Sequence, residues 1–389
     1  MTEAATAAPH PCTVLYVNIF GLPLFREILE SRPGVRLVGL RDDAPRAAAD
    51  PVLAETLVYQ VSSSRLDIRS EYWIDDAFLA RAPRLLMASA IGAGYDPVDV
   101  DACTLAGVLV VNQAGGGNAE SVAEHMLGML LALTKRVGEA DRAMRRSAGI
   151  VRSHFLGRNA LGKTVGIIGY GHVGRRLARM CQAALSMRVL VHTTQDLAGA
   201  AGPAVEQVER VELDALLRTA DYVLVCCALN DRTRGMLDAR AFALMQPHAY
   251  FITAARGGIH DEQALHAALV EKRIAGAGID VWDVEPPPPD HPLLQLDNVI
   301  ATPHTGGATH ESRIQASSEG ARRIHAVLEG RRPDGLLNPQ AWPRFAERFA
   351  REFGFQPSGL PMESAPAQSA QHAQPAQPAQ SAQPAQPVS

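Results

Sequence analysis

Three ionisable side chains stand where their types could hold an anion and move a proton: Arg256 in FITAARGGIHDEQAL, Glu285 in GAGIDVWDVEPPPPDHPL and His304 in NVIATPHTGGATHES. A planar guanidinium can donate to a carboxylate and to an adjacent carbonyl at once, which lysine cannot reproduce. An imidazole titrates close enough to neutral pH to give and to take a proton. A carboxylate paired with its second nitrogen fixes the tautomer and raises its pKa. Singly, each residue has an ordinary explanation: a solvated turn arginine, a Glu-Pro loop, a Pro-His turn. Each also follows a predicted strand, and in an open parallel sheet the loops beyond the carboxyl ends of strands converge on one crevice.

Upstream of all three, TVGIIGYGHVG (164–174) runs a β-branched strand into Gly169-Tyr-Gly171-His-Val-Gly174 and then into an amphipathic stretch with Val173, Leu177, Ala178 and Cys181 on one face. Gly169 allows the tight turn, Gly171 lets backbone approach a pyrophosphate, and Gly174 lets helix pack closely on sheet. A helix starting near His172 would aim free N–H groups and the positive end of its dipole at the phosphates. The spacing predicts a dinucleotide site.

Composition limits the alternatives. The 389 residues are 47% hydrophobic and 5% aromatic, enough for two domains with Ala, Val and Leu cores. A formal net charge of −4 leaves no footprint for nucleic acid or an anionic membrane. The pairs Arg145-Arg146 and Arg322-Arg323 read as solvated helix faces. No apolar run approaches the roughly 18 residues of a membrane span, and MTEAATAAPHPC lacks a basic region followed by an apolar core, so a cytoplasmic protein is expected. The five cysteines (12, 103, 181, 226 and 227) have neither disulfide nor metal-ligand spacing. Cys226 and Cys227 should face opposite sides of a sheet as buried residues.

The elements that must position these groups alternate as in parallel α/β proteins. Strands are predicted at 13–17, 35–40, 85–88 and 108–111, with a helix over 22–29. A long apolar helix, SVAEHMLGMLLALTKRV, carries the chain away from this unit. Beyond 164–174, strands are predicted at 188–192, 222–227, 249–253, 276–280 and 299–301, with helices over 212–219, 241–245, 261–271 and 311–329. The fold class is therefore α/β, with two Rossmann-like doubly wound parallel sheets facing across a cleft. The expected division is 12–112 with 305–345 as substrate domain and 113–304 as dinucleotide-binding domain. Residues 357–389, rich in Ala, Gln and Pro, have nothing to bury and are expected to form a disordered tail.

In this order, GAGYDPVDVDA (92–102), NAESVAEHMLGMLLAL (118–133), LGKTVGIIGYGHVGRRLA (161–178), ITAARGGIHDEQAL (252–265), GAGIDVWDVEP (276–286) and TPHTGGATHES (302–312) resemble the D-isomer-specific 2-hydroxyacid dehydrogenase family. The resemblance implies hydride transfer between NAD and a small 2-keto or 2-hydroxy acid of the 3-phosphoglycerate, hydroxypyruvate or glyoxylate type. It implies Arg256 on the substrate carboxylate and keto oxygen, His304 as acid/base, Glu285 on its imidazole, and the Ala93 and Gly94 amides on the substrate from the other domain. It implies cofactor contacts from Gly169, Gly171, His172, Val173, Gly174, Thr193, Cys227, Ala228, Thr233, Ala254, Ala255, Arg256, Asp280, His304, Gly306 and Gly307. A homodimer through Glu120–Ser153 is implied as well.

The chain departs from the family where cofactor choice is made. Thr193-Thr194 follow RVLVH where an NAD-preferring member carries an aspartate, with Asp196 two residues later. That removes repulsion against a 2′-phosphate, yet no cation follows in TTQDLAGAAG, so NAD is favoured and NADP stays open. Gln60–Arg69 should line the substrate side, where Arg65 and Arg69 could meet a phosphate, although solvated arginines are the commoner outcome. The competing function class is a dinucleotide-sensing corepressor-like protein without turnover.

Overall fold

Two parallel sheets organise the chain. The computed structural model describes residues 12–18, 23–113, 118–195 and 207–362. The first sheet contains β1 (Cys12–Val17), β2 (Val35–Leu40), β3 (Thr56–Val61), β4 (Met87–Ala90) and β5 (Leu109–Val111), in the order β2-β1-β3-β4-β5. The second contains β6 (Thr164–Ile168), β7 (Arg188–His192), β8 (Val208–Arg210), β9 (Tyr222–Val225), β10 (Tyr250–Thr253), β11 (Gly276–Ile279) and β12 (Val299–Ala301), in the order β12-β11-β10-β9-β6-β7-β8. Every pairing within these sheets is parallel.

Parallel strands bury both faces under helices, and the side chains divide accordingly. Val223, Val225 and Phe251 enter one core of the second sheet, while Tyr222, Leu224 and Ile252 enter the other. The strand-to-helix turn predicted at 169–174 forms as expected, with the helix running His172–Leu185 and burying Gly174, Leu177, Ala178 and Cys181. Cys226 and Cys227 pack against different cores, so these thiols do take opposite sides, but both are half-buried rather than buried. Burial pushes both thiols up, that of Cys227 to about 11.

Several elements differ from expectation. The central strand β3 was not anticipated, because TLVYQV is buried along its whole length and shows no alternation. The edge strand β8, VER, has no fully buried residue to mark it. The long apolar helix ends at Thr134 rather than running through Val137, since Arg136 adopts φ 54° and a second helix, Val137–Arg146, starts there. Helix His310–Leu328 returns to the first sheet, where Ala321, Ile324 and Val327 pack with Val14 and Phe25. An unanticipated helix, Trp342–Phe353, adds Phe345 and Phe349 to that core. Residues 357–362, expected to open the tail, lie instead against Gly330–Arg332: Arg332 N–H donates to Leu360 O at 2.8 Å and Met362 N–H to Arg332 O at 2.9 Å. The remainder of the tail, 363–389, lies outside the described residues.

Candidate active site

A cleft of about 1230 Å³ separates the carboxyl ends of the two sheets. From the first sheet its wall takes Gly92–Asp96 beyond β4 and Asn112-Gln113 beyond β5. From the second it takes Gly169–Val173 beyond β6, Thr193–Gln195 beyond β7, Cys226–Thr233 beyond β9, Ala254–Arg256 beyond β10, Asp280 beyond β11 and His304 beyond β12. Of the residues expected to contact a cofactor, Gly174 and Gly306 do not line this wall. Gly174 instead packs directly against Gly169 O, where a Cβ has no room, and Gly306 N–H donates to Asp280 Oδ2 at 2.9 Å. Both act behind the surface.

The glycine turn has the room a pyrophosphate requires. Gly169 has φ 95°, and a Cβ there would meet Cys227 N at 2.6 Å. At Gly171, just before the helix, an added Cβ meets nothing within 4 Å, so this point of the cradle is open. The first N–H groups of helix His172–Leu185 have no intrahelical acceptor and are suited to an anion. Burial, then Arg176 and Arg175, hold the His172 imidazole below its ordinary pKa.

At the far end of the cradle the wall contains Thr193, Thr194 and Gln195, with Asp231 and Arg232 from the loop after β9. The Thr193 hydroxyl accepts from Gln195 N–H at 3.1 Å. Asp196 lies outside the described residues. Arg232, a cation from a different strand's loop, is among the residues of this wall and was not singled out in the sequence.

His304 lines the cleft, whereas Glu285 does not; the two pair with Nδ1 to Oε2 at 2.7 Å. Glu285 Oε1 accepts from Trp282 N–H at 3.0 Å, and the Trp282 indole N–H donates to Thr302 O at 3.0 Å, tying the two loops together. His304 is held above its ordinary pKa chiefly by the hydrogen bond to Glu285, with burial opposing. Burial pushes the Glu285 carboxyl up, but the hydrogen bonds from His304 and Trp282 outweigh it and hold it low.

Asp280 is buried and shapes the loop that carries the histidine. Its Oδ1 accepts from the Thr302 hydroxyl at 2.6 Å and from Thr305 N–H at 2.8 Å, and its backbone carbonyl accepts from His304 N–H at 2.8 Å. His304 thereby takes φ 55°, left-handed for a non-glycine residue. His125 joins the same network, its Nε2 lying 3.0 Å from the Thr302 hydroxyl. Nothing in the spacing of NAESVAEHMLG marked it beforehand.

Arg256 reaches toward the first sheet. Its Nε donates to Asp96 Oδ2 at 3.0 Å and its Nη1 to Ala255 O at 2.8 Å. Gly94 lies directly beneath the guanidinium, and a Cβ there would overlap Nη2. Arg65 and Arg69, read as possible phosphate ligands, do not line the cleft. The Arg65 guanidinium sits 4.6 Å from the Trp73 ring centroid, and its Nε donates to Asp96 O at 2.8 Å. Arg69 lies at the edge of the first lobe, its N–H donating to Asp42 Oδ2 at 3.2 Å.

Among the described residues there is no cluster that could hold a metal ion and no helix long and apolar enough to cross a membrane. An open phosphate cradle, an arginine and a paired histidine at the carboxyl ends of one sheet, with a second lobe across the cleft, define a two-lobed dinucleotide-binding α/β protein. Residues 127–306 match the NAD binding domain of the D-isomer specific 2-hydroxyacid dehydrogenases. The chain is 36% identical over 272 residues to glyoxylate/hydroxypyruvate reductase B of Pectobacterium carotovorum, covering 69% of this chain and 83% of that protein. It is 37% identical over 266 residues to the D-3-phosphoglycerate dehydrogenase of Archaeoglobus fulgidus, covering 68% of this chain and 49% of that one. It thus spans about half the length of the phosphoglycerate dehydrogenases it matches. The D-lactate dehydrogenase of Aquifex aeolicus, crystallised with NAD and lactic acid, is 25% identical with a TM-score of 0.69, over 82% of this chain and 96% of that one. The chain belongs to the D-isomer-specific 2-hydroxyacid dehydrogenase family and carries its NAD-binding domain.

Proposed function

We propose that the chain catalyses reversible hydride transfer between a nicotinamide dinucleotide and C2 of a small 2-keto or 2-hydroxy monocarboxylate. The observation that carries this is that His304, paired with Glu285 behind it at 2.7 Å, lines the same cleft as Arg256 and the open glycine cradle. The lobes are proposed as 12–112 with 305–345 for substrate and 113–304 for dinucleotide. The cradle Gly169–Val173 would hold the pyrophosphate, with Thr193, Cys227, Ala228, Thr233, Ala254, Ala255 and Gly307 along the rest of the cofactor. The bound nicotinamide supplies the hydride.

Arg256 and the amides of Ala93 and Gly94 bind the substrate carboxylate, and Arg256 polarises the carbonyl. His304, with Nδ1 engaged by Glu285, has Nε2 free to deliver a proton to the developing alkoxide and to take it back in the reverse direction. The charged side chains that the first lobe contributes to the wall are Asp96 and, from helix His310–Leu328, Arg313 and Glu319. Both NAD and NADP remain within the proposal, because Thr193 and Thr194 bring no anion to the wall and Arg232 is among its residues. We also propose a cytoplasmic homodimer through Glu120–Ser153, where Leu131, Val137, Met144 and Val151 are exposed apolar side chains.

A keto-acid panel followed by nicotinamide absorbance with NADH and NADPH tests the activity. We expect turnover of glyoxylate or hydroxypyruvate, and His304→Ala should lower kcat roughly 10²–10⁴-fold with NADH affinity unchanged. A parent protein that binds dinucleotide and turns over no keto acid would instead mark a dinucleotide-sensing protein.

A further inference from the structure

A guanidinium presents five N–H donors, and at Arg256 two of them already have protein acceptors. Nε is held by Asp96 Oδ2 at 3.0 Å and Nη1 by Ala255 O at 2.8 Å, which fixes the plane of the group and leaves three donors for a ligand. The two acceptors come from opposite lobes. Ala255 precedes Arg256 on the loop beyond β10, whereas Asp96 lies beyond β4, across the cleft.

Asp96 is itself held in place. Arg65, stacked on Trp73, donates to its carbonyl at 2.8 Å, Val98 N–H donates to Tyr95 O at 2.9 Å, and Ile74 N–H donates to Pro97 O at 2.8 Å. Backbone bonds therefore pin the chain on both sides of the carboxylate. A rigidly placed anion on Nε turns the remaining Nη edge toward Gly94, whose missing side chain leaves the space for that approach.

We propose that Asp96 is a positioning residue for substrate binding: it orients Arg256 from the opposite lobe, with Arg65 as the brace beneath it, so that the free Nη donors meet the substrate carboxylate over Gly94. This rests on the proposed function in that it takes the Arg256 ligand to be a carboxylate. Asp96 need not touch substrate or cofactor, and its effect passes through the arginine.

The test compares the parent with Asp96→Ala and Asp96→Asn in glyoxylate reduction, and in oxamate binding read from the fluorescence of bound NADH. Asp96→Ala should raise the glyoxylate KM and the oxamate Kd about 10- to 100-fold, the scale of one charge-assisted hydrogen bond, with a smaller fall in kcat. NADH affinity and the thermal midpoint should stay at parent values. Asp96→Asn keeps an acceptor oxygen in the same place and should recover most of the loss. An unchanged KM and Kd in Asp96→Ala would overturn the proposal, as would a parallel loss of NADH affinity and thermal stability. A parent that turns over no keto acid would overturn the proposed function alone, because the oxamate arm still decides what Asp96 does.

Discussion

Both sheets are parallel and doubly wound, and each has a switch point where the chain reverses its direction of growth: between β1 and β3 in the five-stranded sheet, between β6 and β9 in the seven-stranded one. Such a point opens a crevice at the carboxyl ends of the strands. In the first sheet, hydrogen bonds among the described residues cross it. Asn18, just past β1 with φ 59°, accepts from Asp42 N–H at 3.0 Å through Oδ1 and donates to Asp67 O at 3.1 Å through Nδ2, while the Ser62 hydroxyl past β3 bonds the Asp67 carboxylate. In the second sheet Gly169 backs onto Cys227 and Gly171 faces open space. Topology supplies a crevice, and the side chains at its mouth decide whether a ligand can use it.

One pair of substitutions breaks this contrast most sharply. Gly171→Val fills the open cradle and removes at least two charge-assisted hydrogen bonds to an anion, so NADH affinity should fall by about 100-fold or more in a fluorescence titration. Asn18→Ala, at the equivalent point of the first sheet, should leave NADH affinity unchanged and lower stability by about 1 kcal/mol in urea. Equal effects of the two changes on cofactor affinity would erase the distinction between the crevices.

A smaller effect separates the lobes by pH. His260 is buried in the seven-stranded lobe beside Phe251, neither ring nitrogen meets a hydrogen-bond partner among the described residues, and burial pushes its pKa down to about 4. The unfolded chain binds this proton near the ordinary histidine value of about 6.5. Between these values the unfolded state carries the extra proton, so His260 costs stability as pH falls from about 6.5 toward 4 and adds no further loss below that. His260→Leu should therefore flatten the urea midpoint against pH in this window relative to the parent. An unaltered acid limb would show that the imidazole finds a partner.

The same contrast explains what could be read from the sequence. The glycine turn was legible because its chemistry is local: GYGHVG, the preceding β-branched strand and the following helix are contiguous. Arg256, Glu285 and His304 could be singled out because each follows a strand in one sheet; the structure places Arg256 and His304 on the cleft wall and Glu285 against His304. Asp96 was not singled out, although it lies within GAGYDPVDVDA, because its significance is a contact with a residue 160 positions away. His125 and Arg232 were hidden for the same reason. Arg65 drew attention by its charge, but Trp73 and the Asp96 carbonyl claim it. β3 escaped because complete burial erases the alternation by which strands are recognised.

The pairing of Glu285 with His304 is the centre of the proposed chemistry, and the pH dependence of kcat/KM for keto-acid reduction tests it most directly. Reduction needs a protonated imidazole, so activity should hold at low pH and fall as pH rises through the histidine pKa, which Glu285 keeps above its ordinary value. Glu285→Gln retains a hydrogen-bond acceptor but removes the charge, and should move that alkaline limb to lower pH while NADH affinity stays unchanged. A limb that stays in place when the carboxylate is removed would contradict the assignment of His304 and Glu285 as the acid/base pair.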